Sequence, residues 1–201
     1  MQLVFDIETD GFLEDMTKCH VLVCQDVVTK KLYTFTDIKN GLDFMSNAVA
    51  LIGHNIIGFD LMALEKLYGW KPSPKTRLVD TWIMSQTLQF NRSHKHGLAG
   101  WGSYLGYKKM DNSEWAADGF KTYDPRMIDY CINDVKLNTK VYEVLLAELQ
   151  KAIEINDLIK KGLRVEHDVA EFEAVVRKTG WLFDLEKAQE NLRLMTRHMN
   201  K

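Results

Sequence analysis

The chain has 201 residues, 46% hydrophobic and 27% charged, a composition that suits one globular domain with an appendage and argues against wholesale disorder. Its formal net charge is −2, so bulk charge gives no support for a broadly basic nucleic-acid binder. It leaves room for a site where carboxylates recruit cations and the cations meet phosphate.

The amino terminus, MQLVFDIETD, reaches acidic residues too early for a signal peptide, and no apolar run is long enough to span a bilayer. Cys19, Cys24 and Cys131 form no C-x-x-C pair, which disfavours a disulfide framework or a zinc knuckle. A soluble protein of a reducing, intracellular compartment is the expectation. Gln2–Ile7 is a compact apolar run of strand length. Val21–Val28 and Lys31–Phe35 are β-rich and joined through Thr29-Lys30-Lys31, which predicts a hairpin. Ala48–Ile52 reads as a buried strand. Gly58–Tyr68 has Phe59, Met62, Ala63 and Leu67 at helical spacing and stops at Gly69. Arg77–Asp80 predicts a short strand and Thr81–Leu88 a helix. Asn91–Gly119 reads as short helices and loops, and a long helix is predicted from Pro125 through Leu149. This order implies an α/β fold, a mixed sheet flanked by helices. Residues 1–150 form that domain, and residues 151–201 a helical appendage outside the αβ pattern.

Three acidic signals carry chemistry. Asp6 and Glu8 end an apolar strand, where side chains two apart share one face. Two like charges there repel each other unless a cation lies between them, although taken alone a place in the loop after the strand is the plainer account. Tyr130 and Asp134 stand at i and i+4 on one helix face, a spacing that also suits a solvated face. Asp60 follows His54-Asn55 at a helix start, where an acid often serves the helix dipole alone. Taken together, four carboxylates near element ends form a hard oxygen set suited to Mg²⁺ or Mn²⁺ rather than zinc. Two such ions activate a water and stabilise the leaving oxygen of a phosphodiester.

The motifs D-I-E-T, H-N-x-x-G-F-D and Y-x-x-x-D, in this order, resemble the DEDDy branch of the DnaQ-like 3′→5′ exonucleases, which have a ribonuclease H-like fold. Asp129 stands where the histidine branch has His, so Tyr130 places the chain in the tyrosine group. Val79–Leu88 and Lys95–Gly106 are similar to segments of T7-like phage DNA polymerases. Ile155–Asp184, with Arg164-Val-Glu-His-Asp168 and Lys178-Thr-Gly-Trp-Leu-Phe-Asp184, looks like the approach to a family A polymerase domain.

The resemblance implies a proofreading 3′→5′ exodeoxyribonuclease with two divalent ions, Mg²⁺ or Mn²⁺. Asp6, Glu8 and Asp134 would hold the tighter ion, Asp6 bridging to the second and Asp60 acting on that one. Tyr130 would orient the attacking water, Thr9 contact the terminal nucleotide, Phe12 wedge at the last base and Asn55 touch substrate. For Phe12 and Asn55, core packing and a turn role are the plain alternatives. The implied partners are a single-stranded DNA 3′ end or frayed primer terminus and a polymerase domain in cis, in the cytoplasm of a phage-infected bacterium, with no membrane. An RNA-trimming exonuclease of the same group and a catalytically silent nucleic-acid-binding module are the rival functions. Trp101, Tyr104 and Trp115 read as core cover, and Lys108-Lys109 and His94-Lys95-His96 as either phosphate contacts or solvated groups.

Overall fold

The computed structural model describes residues 1–107, 110, 112, 116 and 118–199. The elements run β1 Gln2–Thr9, β2 Cys19–Asp26, β3 Leu32–Phe35, α1 Ile38–Met45, β4 Ala50–Gly53 and α2 Asp60–Tyr68. They continue with β5 Arg77–Asp80, α3 Thr81–Leu88, α4 Leu98–Tyr104, α5 Arg126–Ile155, α6 Leu158–Thr179 and α7 Leu185–Met199. The five strands form one sheet in the order β3-β2-β1-β4-β5. β1, β2 and β3 pair antiparallel, while β4 joins β1 and β5 joins β4 in parallel. An antiparallel meander extended by two parallel strands, with helices over both faces, is the ribonuclease H-like α/β arrangement expected above.

Alternation along β1 divides the core in two. Leu3, Phe5 and Ile7 pack with α1 and α2, through Ile38, Leu42, Met45, Ala63 and Leu64. Val4, with Val21 and Val23 of β2, packs on the other face against Cys131, Val135, Leu137 and Val141 of α5. The face that carries residue 4 also carries residues 6 and 8, and that geometry positions the site.

Three differences from the sequence reading have physical causes. Helix α1 was not anticipated, because Asn40-Gly41 in its middle has the chemistry of a turn. Burial of Ile38, Leu42 and Met45 overrides that weakness, and Gly41 lets Phe35 pack closely, since a Cβ there would lie 3.0 Å from Phe35 Cγ. β1 runs two residues further than expected, since Glu8 pairs with Val21 and Thr9 with Cys19 across a register shift. Helix α5 continues unbroken past residue 150 to Ile155. Helix α6 returns along the sheet edge, where His167 accepts from the Asp80 backbone N–H at 2.9 Å and Lys178 pairs with Glu65. No residue of α7 is buried.

Candidate active site

Asp6 and Glu8 project from β1 toward α5, opposite Val23 and Val21 of the neighbouring strand. Both are half-buried. The long helix brings Cys131 to the same region, with Asp134 one turn further along. The fully buried Cys131 thiol donates to the Asp6 carbonyl at 3.4 Å, with its Sγ 3.8 Å from Asp6 Oδ2. Among the described residues, one ligand atom each from Asp6, Glu8 and Cys131 lie within 4.8 Å of one another. Asp134 is buried and, like Asp60, is not in that set. Its charge nevertheless reaches the set. Burial first, then the charges of Asp6, Glu8 and Asp134, push the Cys131 thiol far above its ordinary value. The Cys19 thiol is raised by burial and then by Asp60, Glu8 and Asp6. Two buried thiols therefore sense all four carboxylates between them.

Asp60 opens α2 and is almost fully buried. Burial pushes its carboxyl up to about 8, the charge of Asp80 adds to the rise, and backbone N–H groups of Asp60 and Ile7 oppose it. Asp80 was not singled out in the sequence, yet it organises the loop that carries Asn55 and Asp60. Its Oδ1 accepts from the N–H groups of Asn55 and Trp82, both at 2.9 Å, and its Oδ2 from Ile57 at 3.2 Å. One buried side chain thus caps α3 and pins the 54–59 loop. Burial raises the Asp80 carboxyl, and these backbone hydrogen bonds oppose the rise. Asn55 sits at φ 64, a left-handed conformation that Asn tolerates better than most residues. A Cβ at Gly58 would come within 2.5 Å of Asn55 Oδ1, so only Gly fits there without a shift. The turn role of Asn55 is therefore real. Beside this loop His54 Nδ1 lies 2.9 Å from the Thr81 hydroxyl, which donates to Asn138 at 2.7 Å and ties α3 to α5.

A stability prediction follows from Asp60. Its native carboxyl is raised to about 8, against an ordinary ~3.9 in the unfolded chain. Between those values the native state holds more protons than the unfolded state, so stability falls as pH rises through that window. With chelator present, Asp60→Asn should melt above the wild type at pH 8, and the difference should shrink as the pH is lowered toward 4. Thermal melts across that range check it; a variant that melts below the wild type at pH 8 contradicts the buried-charge account.

The remaining sequence candidates separate clearly. Tyr130 lies on α5 with its ring centroid 5.7 Å from that of Phe120, whose carbonyl lies 2.9 Å from His20 Nε2. Thr9 is buried and its hydroxyl donates to the Gly11 carbonyl at 2.9 Å. Phe12 is 77% exposed at the tip of a turn, which rules out core packing as its role. Asp15 and Met16 close the turn onto the Phe12 carbonyl, and Lys66 of α2 holds it by the Leu13 and Glu14 carbonyls at 2.6 and 3.1 Å. Trp101 is wholly buried, with its indole N–H on Ser85 Oγ at 3.2 Å, as expected of core cover, whereas Tyr104 is exposed. Trp115 and Lys108-Lys109 lie outside the described residues.

The donor set suits a hard divalent ion. Asp6 and Glu8 crowd two half-buried carboxylates onto one strand face, and Asp134 adds a third charge close by. A cation relieves that repulsion.

No family model matches the chain. It is 25% identical to the DNA-directed DNA polymerase of Escherichia phage T7 over an alignment of 240 positions, covering 94% of this chain and 34% of that one. It thus spans about a third of that relative's length. Among solved structures, Brucella melitensis NrnC with bound Mg²⁺ superposes with a TM-score of 0.64 at 18% identity, covering 92% of this chain and 90% of that one. Escherichia coli RNase D, an exoribonuclease, superposes with a TM-score of 0.59 at 17% identity, covering 85% and 45%. The fold is the ribonuclease H-like α/β fold, shared with these structures. In sequence, the chain is similar to a part of the phage T7 DNA polymerase.

Proposed function

We propose that the chain is a divalent-metal-dependent 3′→5′ exonuclease that hydrolyses the terminal phosphodiester of DNA and serves as the proofreading part of a phage polymerase. The observation that carries this reading is the meeting of two elements. Asp6 and Glu8 share one face of β1, and α5 packs Cys131 against it with Asp134 close enough for its charge to act there, in a fold also found in an exoribonuclease. Asp6, Glu8, Asp134 and Asp60 would hold Mg²⁺ or Mn²⁺, two ions in the full site. Bound there, the ions would supply positive charge to the scissile phosphate and its leaving oxygen.

The chain's own residues do the rest. Tyr130 orients the water, because an ordinary phenol near pKa ~10 is too weak a base to deprotonate it. Phe12, exposed and firmly tethered, stacks on the last base, a contact that tolerates any base. Thr9 and Asn55 line the terminal nucleotide. The length of the T7 relative supports a polymerase domain in cis. Among the described residues no helix is long and apolar enough to cross a membrane.

A pocket that grips one terminal nucleotide needs that nucleotide unpaired, and unstacking it from a duplex costs a few kcal/mol. Single-stranded and mismatched 3′ ends should therefore be degraded faster than matched duplex ends in Mg²⁺, with no cleavage in chelator. End-labelled oligonucleotides measure this directly. Equal rates on paired and frayed ends, or removal from the 5′ end, contradict the reading. The likeness to an exoribonuclease favours one rival, RNA trimming, and matched DNA and RNA oligomers separate the two. A silent binding module is disfavoured because all four carboxylates and the tyrosine are present.

A further inference from the structure

A bulge in the sheet and a strained turn before α5 are joined by one hydrogen bond, from His20 to the Phe120 carbonyl. We propose that His20 is a positioning residue: by holding that carbonyl it fixes the Phe120 ring, and through the ring the place of the Tyr130 phenol. The proposal rests on the reading of Tyr130 as the group that orients the attacking water, and it adds what sets Tyr130 in place.

The strand geometry aims the histidine. Glu8 pairs with Val21 and Thr9 with Cys19, so His20 is the extra residue of a bulge between β1 and β2. A regular strand would put Cys19 and Val21 on one face. Here Cys19 packs in the core with α1 and α2, whereas Val21 packs in the core with α5. Bulges re-aim a side chain in this way. His20 reaches the segment leading into α5, where its Nε2 lies 2.9 Å from the Phe120 carbonyl oxygen. A carbonyl only accepts, so Nε2 carries the proton and donates. The ring is buried and its Nδ1 has no partner among the described residues, which leaves the bond to Phe120 as its polar anchor.

The turn needs that anchor. Phe120 stands at φ 67, directly after Gly119 at φ 70, and an aromatic residue in the left-handed region is strained. Asp118 braces the turn from within, its Oδ2 accepting from the Thr122 N–H at 3.0 Å, and His20 braces it from the sheet. Carbonyl and ring belong to one residue, so the bond that holds the first holds the second. The Phe120 ring packs against the core on the α5 side, its centroid 5.7 Å from that of Tyr130 and its plane inclined by 57°. Tyr130 is half-buried, so neighbouring rings rather than a closed core decide which rotamer it keeps. Misplacing an orienting group by ~1 Å costs up to about 100-fold in rate.

Ring placement and rate can be read separately on the full chain. With 3-fluorotyrosine incorporated, the fluorine resonance of Tyr130 is identified by its loss in Tyr130→Phe. His20→Leu keeps bulk but has no donor. It should shift or broaden that resonance and slow single-turnover cleavage of a single-stranded 3′ end about 10-fold, with the half-saturating oligonucleotide concentration unchanged. His20→Gln, whose amide donates from nearly the same place, should restore the resonance and most of the rate. In a Tyr130→Phe background His20→Leu should cost nothing further, because both act through one group. Phe120→Ala leaves β2 untouched and should repeat the losses of His20→Leu, which covers the case in which the bulge does not tolerate leucine. A Tyr130 resonance unmoved in both His20→Leu and Phe120→Ala, or losses that multiply in the double variant, overturns the proposal. If Tyr130→Phe is as fast as wild type, the reading of Tyr130 as the water-orienting group fails instead, and the fluorine shift alone decides whether His20 places the ring.

Discussion

Asp6→Ala is expected to slow hydrolysis of a single-stranded 3′ end by about 10³-fold or more, because it removes a carboxylate proposed to hold the ions. Asp6 shares the three-ligand set with Glu8 and Cys131, and its charge acts on both buried thiols. The substitution should leave the fold intact. The side chain is half-buried, while the β1 ladder and the carbonyl that receives the Cys131 thiol belong to the backbone. Removing one of several repelling carboxylates should keep the melting temperature in chelator at least as high as in wild type. Tyr130→Phe makes the contrast. The ring keeps its contact with Phe120 and only the hydroxyl is lost, so water is oriented less well and the rate falls by about 10–100-fold. Single-turnover rates in saturating Mg²⁺ decide both. A fully active Asp6→Ala would remove the site from this face of β1. A Tyr130→Phe as dead as Asp6→Ala would assign the phenol a larger part than positioning water.

Much of this arrangement was legible because its determinants are local. The period of two in Val4, Asp6 and Glu8 fixes which way the carboxylates face, and the four-residue step from Tyr130 to Asp134 fixes a helix face. Strand β5 and helix α3 fall where the sequence placed them, since Asp80 both ends one and caps the other. What escaped notice depends on contacts between distant segments. Nothing near Asp80 announces that it receives N–H groups from Asn55 and Ile57, residues 25 and 23 positions away. Cys131 reads as one more apolar position on α5 until β1 is laid beside it. The burial of Asp60, which with the Asp80 charge raises its carboxyl, is likewise tertiary. Phe12 shows the converse: an aromatic that suits a core by composition is held at the tip of a turn by Lys66.

The largest stability effect is expected at Asp80, a residue with no direct part in the chemistry. Asp80→Ala removes the helix cap of α3 and the acceptor for the loop N–H groups of Asn55 and Ile57. Loss of an N-cap costs about 1 kcal/mol, and each buried donor left unsatisfied about 1–3 kcal/mol. Part of this is returned, because the Asp80 charge no longer opposes ionisation of Asp60. The net loss should be about 3–5 kcal/mol, a fall in melting temperature of roughly 8–16 °C for a chain of this length. Asp80→Asn keeps one carbonyl oxygen to accept from Asn55 and Trp82 but offers Ile57 no acceptor, so its loss should be about half as large. The same substitutions should lower cleavage, since Asn55 holds its left-handed backbone, and Asp60 its place at the start of α2, only while this loop is pinned. Thermal melts and single-turnover rates on the two variants test the account together. If Asp80→Asn were as damaging as Asp80→Ala, the negative charge rather than the acceptor oxygens would be what the loop requires. If neither variant lost stability, the loop would be held by its packing and by Arg177, which donates to the Gly58 carbonyl at 3.1 Å from α6.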